Sequence, residues 1–429
     1  MDPQRPLIEE AFFAGVSAAA PEATIPNCLV REGKRIYLRK KGKIADMTPL
    51  LGGRLCIIAS GKAASRMFRT TTSITGTPNI GLVISPPGDV PIPGTPWIRG
   101  SHPYPDSDSL LAARKILQLL SDLKPEDSLI FLLSGGSSSM TCHPPKGLTL
   151  EDKVATLRAV MEAGASIFQL NRVRRALSIT KGGDLARSTR AGKICVLVMS
   201  DVPGNDLNTI GSGPFFASSS PDNPIEVIRE LSLSRSIPRN ALKLLIEKTD
   251  NASLLSHIPH VIISDNGTAL AGSKSYLEGK GYNVILLDTP YDGPALSCGE
   301  SFGRWIRSRV GTGRARATAY LGGGETVVKV TGEGRGGRNQ VMAVGAGKAL
   351  SRTSVTGLCA GTDGIDGDSP AAGGFFDGNL MSMASDASLD PDSFLENCDS
   401  YTFLHTLGYS FKTGPTGLNV MDISICLVL

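Results

Sequence analysis

The sequence predicts an α/β fold with two domains, each built on a largely parallel sheet. Its 429 residues are more than one compact core normally holds. Short apolar runs typical of buried strands alternate with helical segments, and several of these runs end in loops rich in glycine, serine and aspartate. Ligands of such folds bind beyond the carboxyl ends of the strands, so these loops are the candidate functional segments.

Composition narrows the classes of function. A formal charge of +4 and only 5% aromatic residues argue against nucleic-acid binding, although a small anionic substrate remains compatible. Eight scattered cysteines without a CxxC pair indicate a reduced, cytoplasmic protein. We expect no membrane span and no secretory signal, because no apolar run approaches about 20 residues.

Seven Lys or Arg residues lie between Arg31 and Lys43. The alternation in Arg35–Arg39 favours a solvated hairpin, and a nucleic-acid or membrane patch is the alternative.

The strand predicted at Arg54–Ala59 leads into Gly61, Lys62 and a helix. This is not a Walker loop, because Cys56 stands where the first glycine of that motif belongs. A lysine at a helix start opposes the helix dipole, which makes sense if an anion binds there. A plain surface lysine is the alternative.

The most strongly apolar strand, Ser128–Ser134, ends in GGSSSM, whose glycines and hydroxyls suit a phosphate. A serine nucleophile would require a G-x-S-x-G elbow, which is absent. Asp201 follows the strand Lys193–Met199 and is either a metal or acid/base carboxylate or the cap of its own turn. His102, held in the rigid HPYPD turn with Asp106, is either an acid/base group or structural.

In the second half, the strand and helix pattern of 260–264, 267–280, 282–287, 295–310 and 315–321 predicts a second parallel sheet. The stretch Gly322–Gln340 then predicts a polar turn, a short strand, a second turn carrying Arg335 and Arg338, and a helix over 338–350. A strand that leads through glycines to a helix start is typical of an anion site. Asp363 and Asp366, in GTDGIDG after the next strand, either share a Mg²⁺ with phosphates or form Asx-turns.

Taken in order, ASGKAA, LSGGSSSM, SDVPGND with GSGPF, GGGETVVKVTGEGRGGRNQ and GTDGIDGDSPAAGGFFDG resemble the class II glycerate kinase family. HPYPDSDSL and LSITKGGDLA fit as well, and the similarity runs over nearly the whole chain, including the C-terminal MOFRL region. The serine loop departs from the family pattern, since Ser137 stands where a third glycine is more usual.

The resemblance implies ATP-dependent phosphorylation of D-glycerate, usually at the 2-hydroxyl, with Mg²⁺. It also implies two α/β domains, a Rossmann-like one over 1–235 and a second over 236–429 with MOFRL at about 315–425, and an active site in the cleft between them. Lys62, Asp201 and one of Arg335 and Arg338 are then the catalytic groups, and Asp201, Asp363 and Asp366 are the candidate magnesium ligands. The expected substrate- and nucleotide-binding residues are Gly61, Ser134, Gly135, Gly136, Ser137, Ser138, Lys181, Gly182, Gly323, Glu325, Gly336 and Asn339.

Three alternatives stay open. Gly332, Gly334 and Gly337 satisfy G-x-G-x-x-G, which would suit an NAD(P)H-dependent hydroxypyruvate reductase, but the expected acidic residue about 20 positions later is missing. A non-catalytic phosphate-binding regulator would not need the strand-end carboxylates. A kinase that forms 3-phosphoglycerate is the third alternative.

Overall fold

In the computed structural model, the structure describes residues 3–40, 42–217, 223–247, 257–310 and 317–428. The chain forms two compact units: a central unit, Thr24–Ile263, and a terminal unit that combines Met1–Ala23 with Ser264–Leu429. The first helix thus groups with the second half of the chain, although the sequence placed it in a first domain over 1–235.

The described residues form sixteen strands: β1 Leu29–Glu32, β2 Arg35–Lys40, β3 Lys43–Asp46, β4 Leu55–Ser60, β5 Ile80–Ser85, β6 Trp97–Arg99, β7 Ser128–Leu133, β8 Lys193–Met199, β9 His260–Ser264, β10 Asn283–Leu286, β11 Tyr291–Pro294, β12 Thr318–Val327, β13 Val355–Gly361, β14 Gly373–Asp377, β15 Ser410–Phe411 and β16 Asp422–Val428.

The described helices are α1 Arg5–Ala18, α2 Pro21–Thr24, α3 Ala64–Thr75, α4 Ser107–Ser121, α5 Ser137–Met140, α6 Leu150–Glu162, α7 Ile167–Ala176, α8 Asp184–Arg187, α9 Pro224–Glu230, α10 Arg239–Glu247, α11 Asn266–Gly279, α12 Ala295–Arg307, α13 Arg338–Ala349, α14 Leu380–Asp386, α15 Pro391–Glu396 and α16 Ser400–Thr406. None of them combines the length and apolar character that a membrane span needs.

The central unit is built on a six-stranded sheet of order β6-β5-β4-β7-β8-β9. The pairs from β6 to β8 are parallel, as predicted for this half of the chain. All residues of β4 and β7 are buried, which explains why these strands are apolar without alternation. Side chains of α4, such as Ala112 and Ile116, pack with these strands in one core.

A second, antiparallel sheet of order β1-β2-β3 carries the basic segment. Arg35, Arg39 and Lys40 are exposed on it, and Arg39 pairs with Glu32 at 3.2 Å. The predicted solvated hairpin is confirmed.

The terminal unit contains a sheet of order β10-β12-β16-β13-β14-β15, with β11 also paired to β12. Only β10 and β11 run parallel to β12, and the other pairs are antiparallel. The strands predicted at 282–287 and 315–321 do pair in parallel, as β10 and β12, but the sheet as a whole is mixed. The strand predicted at 260–264 belongs to the sheet of the central unit, as β9. The final strand, β16, inserts between β12 and β13 and runs opposite to both.

Glycines allow the helices of the terminal unit to pack closely. A methyl group at Gly299 of α12 would collide with the carbonyl oxygen of Met342 in α13. At the other end of the chain, a methyl group at Gly15 of α1 would collide with Ser273 Oγ of α11. This close packing of α1 on α11 is the physical reason why the N-terminal helix belongs to the terminal unit.

Candidate functional site

Three adjacent parallel strands of the central unit bring predicted site residues to one edge of the sheet. The ends of β4, β7 and β8 lead to Lys62, to Ser134–Ser138 and to Asp201 respectively. The backbone N–H of Lys62 donates to the Gly135 carbonyl at 2.8 Å. Asp201 packs so closely on Gly135 that a methyl group there would collide with its carboxylate. These three segments converge at one edge of the sheet, and we call them the strand-end cluster.

Two glycines of this cluster have backbone conformations that side chains rarely adopt. Gly61 has a φ of +127°, and a methyl group there would collide with Ser134. Gly136 has a φ of +83°. A Cβ added to this glycine would lie 3.5 Å from Lys62 Cγ and 3.2 Å from His102 Cδ2. The Lys62 stem and the His102 ring therefore lie against the glycine loop.

The serine hydroxyls of the cluster hold the loop itself. Ser134 Oγ accepts from the Ala63 N–H at 3.1 Å, and Ser137 Oγ lies 2.8 Å from Ser60 Oγ. Ser138 Oγ lies 3.2 Å from Ser212 Oγ. Ser134 and Ser137 are buried, so their contribution is to fix the loop geometry, and their predicted contact with ligand stays a prediction.

Lys181 also fixes the serine segment. Its Nζ donates to the carbonyl oxygens of Ser138 at 2.6 Å and Thr141 at 3.2 Å. Burial, followed by the nearby positive charge of Lys153, lowers the pKa of Lys181 to about 7. The next residue, Gly182, has a φ of +58° and donates its N–H to the Ser212 carbonyl at 3.0 Å.

Asp106, in the HPYPD turn, has a structural task. Its Oδ1 accepts from the Ser109 N–H at 3.0 Å and so caps α4, and its Oδ2 pairs with Arg99 at 3.2 Å. His102 is exposed beside Gly136, which leaves both of its predicted roles open.

In the terminal unit, Arg338 is the first residue of α13 and is held by two carboxylates. Its Nε and Nη2 donate to Asp422 at 2.7 and 2.9 Å, and its Nη1 lies 3.0 Å from Glu325. Burial lowers the pKa of Arg338, but Asp422 and Glu325 outweigh burial and raise it overall. The guanidinium is thus a fixed, permanent cation, and we call these three residues the arginine cluster.

Arg335 has a different environment. It is exposed, its guanidinium lies 5.5 Å from the centre of the Tyr401 ring, and its Nη2 donates to the Asp368 carbonyl at 3.4 Å. Of the two arginines that the sequence left as alternatives, Arg338 is the one with a rigid geometry.

Asp366 caps helix α13 from a distant loop. Its oxygens accept from the backbone N–H groups of Asn339 and Gln340 at 3.0 and 2.9 Å, and from Gln340 Nε2 at 2.9 Å. Burial raises the pKa of Asp366 to about 6 despite these hydrogen bonds. Asp363 accepts from the Ile365 N–H at 3.2 Å, which is the contact expected of an Asx-turn, one of the two alternatives for this residue. Across the parts of the chain that the structure describes, no group of three or more His, Cys, Asp or Glu side chains could hold a metal ion.

The glycines of the stretch 322–340 pack against the protein itself. Gly322, Gly323 and Gly324 lie inside β12, so the predicted polar turn is wrong. A methyl group at Gly323 would collide with Asn266, and one at Gly336 with Ser400. Close packing of this kind gives the same sequence pattern as close approach to a ligand.

The space beside each glycine of the G-x-G-x-x-G pattern is also filled by the protein itself. Methyl groups at Gly332, Gly334 and Gly337 would collide with Asn397, Asp399 and Asp366 respectively. This loop therefore offers no open glycine surface to a dinucleotide pyrophosphate.

Sequence reasoning missed Asp422. It is 2% exposed, and an added Cβ at Gly361 would lie 3.4 Å from its Oδ1. The only signal was one acidic residue that opens an otherwise apolar strand, and the pairing of β16 with β12 and β13 is a long-range property.

Comparisons with known proteins agree with this architecture. A family model described as a domain of unknown function, DUF4147, matches residues 7–246, and the MOFRL family matches residues 318–422. A "D-glycerate 2-kinase" from Thermotoga maritima is 34% identical over 383 residues, 88% of this chain and 91% of that protein. A protein from Agrobacterium vitis that is provisionally named a hydroxypyruvate reductase is 31% identical over 434 residues, which cover 99% of this chain and 94% of that protein.

The crystal structure of glycerate kinase from Thermotoga maritima superposes on this structure with a TM-score of 0.84 and 31% sequence identity. The superposition covers 100% of this chain and 100% of that chain. The two family matches, the relatives and this structure confirm the resemblance noted in the sequence. The chain belongs to the glycerate kinase family with a C-terminal MOFRL domain.

Proposed function

We propose that this protein transfers the γ-phosphoryl group of ATP to the 2-hydroxyl of D-glycerate and forms 2-phosphoglycerate. The observation that carries the proposal is the convergence of Lys62, Gly135 and Asp201 at the carboxyl edge of a parallel sheet. The names of the relatives support the choice of substrate and product.

Lys62 and Arg338 are the proposed catalytic cations. Phosphoryl transfer passes through a loose transition state, so catalysis depends mainly on positioning and on neutralising negative charge. Arg338 is favoured over Arg335 because Asp422 fixes its guanidinium before any ligand binds. Arg335 lacks a comparable ion pair among the described residues and is proposed to act, if at all, in binding.

Asp201 is the proposed protein ligand for Mg²⁺. Mg²⁺ commonly binds one or two carboxylates together with substrate phosphates, so the missing three-residue ligand set does not conflict with this assignment. The ion would neutralise charge on the ATP phosphates. Asp363 remains a second candidate, whereas Asp366 already accepts hydrogen bonds on both oxygens.

The main experiment measures ADP release by the purified protein with D-glycerate, ATP and Mg²⁺. Phosphorus NMR of the product distinguishes 2-phosphoglycerate from 3-phosphoglycerate. A parallel reaction with hydroxypyruvate and NAD(P)H tests the reductase alternative, and cofactor oxidation without ADP release would reject the kinase.

Lys62→Met tests the assignment of the lysine. We expect kcat to fall by about 10²–10³-fold, because one charge-stabilising donor of the transition state is lost. Lys124→Met is the matched control, since Lys124 is an exposed lysine of the same unit. Near-normal turnover of Lys62→Met in a folded protein would contradict the role of this lysine.

A reducing compartment, the cytoplasm, is the proposed location. All eight cysteines are free thiols, and six of them are buried.

A further inference from the structure

The two carboxylates of the arginine cluster differ in how firmly they are held. Asp422 is 2% exposed and accepts from Nε and Nη2 of Arg338 at 2.7 and 2.9 Å. It opens β16, where its backbone is paired with Gly324 on one side and with Gly361 on the other. Without the guanidinium, this carboxylate would be a buried charge with a lost partner, which is strongly destabilising. Asp422 is therefore the permanent partner of Arg338.

Glu325 meets the same guanidinium from a more open position. Its carboxylate lies 3.0 Å from Nη1, the third nitrogen of the guanidinium, and the side chains of Arg338 and Glu325 are 30% and 36% exposed. Glu325 lies two residues before the end of β12. Ion pairs that water reaches are weak, because the solvent screens both charges. Glu325 is therefore the carboxylate of the cluster that can exchange for another anion.

The charges of the cluster explain why such an exchange is needed. One guanidinium faces two carboxylates, so the three side chains together are negative. Asp366 adds a further negative charge that acts on Arg338. An oxyanion that approaches Nη1 is attracted by the guanidinium but repelled by Glu325. Movement of Glu325 away from Nη1 would release a donor to the oxyanion and weaken this repulsion.

We propose that Glu325 is an exchangeable partner of Arg338, which occupies Nη1 until an oxyanion of the substrate takes its place. Two sources carry such a group, a phosphate of ATP and the carboxylate of D-glycerate, and both form charge-assisted hydrogen bonds with a guanidinium. The inference rests on the proposed function, in which Arg338 is a catalytic cation. Glu325 is then a specificity-determining residue, since only a group that binds Arg338 more strongly than a glutamate displaces it.

Glu325→Gln tests the exchange, because the amide keeps the shape of the side chain and removes its charge. Isothermal titration calorimetry of the full chain measures the Kd of AMP-PNP, a non-hydrolysable ATP analogue, with Mg²⁺, and separately the Kd of D-glycerate. The Kd of the ligand that binds Arg338 should fall about tenfold in Glu325→Gln, since a competing carboxylate and its repulsion are lost. The matched control is Glu333→Gln, because Glu333 is an exposed glutamate of the same unit, and it should change either Kd less than about twofold.

The two ligands identify the source of the oxyanion. A fall in the Kd of AMP-PNP alone assigns the exchange to a phosphate, and a fall in the Kd of D-glycerate alone assigns it to the carboxylate. The proposal is overturned if Glu325→Gln lowers neither Kd, or if Glu333→Gln lowers the same Kd equally. A Kd that rises for either ligand and falls for neither would mean that Glu325 itself accepts a hydrogen bond from the ligand.

Failure of the exchange and failure of the proposed function give different results. If the wild type releases ADP with D-glycerate but Glu325→Gln lowers neither Kd, the kinase stands and the exchange is wrong. If the wild type does not phosphorylate D-glycerate, the same comparison with inorganic pyrophosphate decides the exchange alone: a lower Kd in Glu325→Gln supports it, and an unchanged Kd rejects it.

A crystal structure keeps the test decisive if Glu325→Gln fails to fold. Wild-type crystals with AMP-PNP, Mg²⁺ and D-glycerate should show a ligand oxygen within hydrogen-bonding distance of Arg338 Nη1, in the place of Glu325. A ligand-bound structure in which Glu325 still contacts Nη1 contradicts the proposal.

Discussion

Replacing Asp366 by alanine separates two interpretations of this carboxylate, a helix cap and a magnesium ligand. Asp366 is 2% exposed, and it satisfies the N–H groups of Asn339 and Gln340 in the first turn of α13. The N-cap residue, Gly337, provides no side-chain cap of its own. Asp366→Ala therefore leaves two buried N–H groups without an acceptor.

The expected loss follows from these contacts. Each buried donor left unsatisfied costs about 1–3 kcal/mol, so two cost about 2–6 kcal/mol. The Gln340 side chain keeps its hydrogen bond to Ser369 Oγ at 2.9 Å, and the variant no longer buries a carboxylate. Both effects reduce the loss, and we expect the free energy of unfolding to fall by about 2–4 kcal/mol.

Urea unfolding at pH 8 without Mg²⁺ measures this loss, because the carboxylate is ionised at that pH. A Trp97→Phe background leaves Trp305 as the only tryptophan, and Trp305 lies on α12 of the terminal unit. The matched control is Asp368→Ala, since Asp368 is exposed and its carboxylate accepts a hydrogen bond from the Gly336 N–H. We expect this control to lose less than about 1 kcal/mol.

Equal losses in the two variants would refute the capping argument. An unchanged free energy of unfolding in Asp366→Ala, together with a raised Mg²⁺ requirement for turnover, would favour the metal ligand instead.

Two further predictions concern other parts of the chain. Arg338→Lys should lower kcat by at least about 10²-fold, because lysine cannot keep the bidentate ion pair of the guanidinium, whereas Arg335→Lys should change kcat less than tenfold. Steady-state kinetics measures both, and a larger loss in Arg335→Lys would contradict this assignment. Gly324→Ala should lower the free energy of unfolding of the terminal unit by about 2 kcal/mol or more, because the φ of +137° and the nearby β11 backbone leave no room for a methyl group. The control is Gly279→Ala, since no atom lies within 4 Å of a Cβ added there, and urea unfolding should show a change of less than about 0.5 kcal/mol.

The strand-end cluster could be predicted because its signals are local. Each of β4, β7 and β8 is an apolar run followed directly by its functional loop, and parallel strands bring such loops to one edge. Each of these loops was therefore a candidate functional segment from the sequence alone, whereas the contacts between them were not predicted.

The arginine cluster could be predicted only in part, because its partners are distant in sequence. Arg338 was a candidate, but its pairing with Asp422 spans 84 residues and depends on the register of β16. The same register makes the second sheet mixed, and strand direction does not follow from the alternation of strands and helices alone.

The glycines near 322–337 show a different limit. A glycine that admits a ligand and a glycine that admits a neighbouring chain segment look the same in a sequence, since neither has a side chain. Asn266, Ser400 and Asp366 fill the spaces that a phosphate cradle would have left open. Only the packing distinguishes the two cases.

The packing of α1 on α11 has a consequence for folding during synthesis. The ribosome makes α1 before its partner α11, which follows only after the central unit of about 240 residues, 24 to 263. At about 5–20 residues per second, α1 waits roughly 12–48 s, while the central unit can already fold. Its apolar side chains, including Ile8 and Phe12, are then exposed until the second half of the chain emerges. Helix α1 is thus made early but reaches its native place late, and its apolar face is a surface that a chaperone could cover in the meantime.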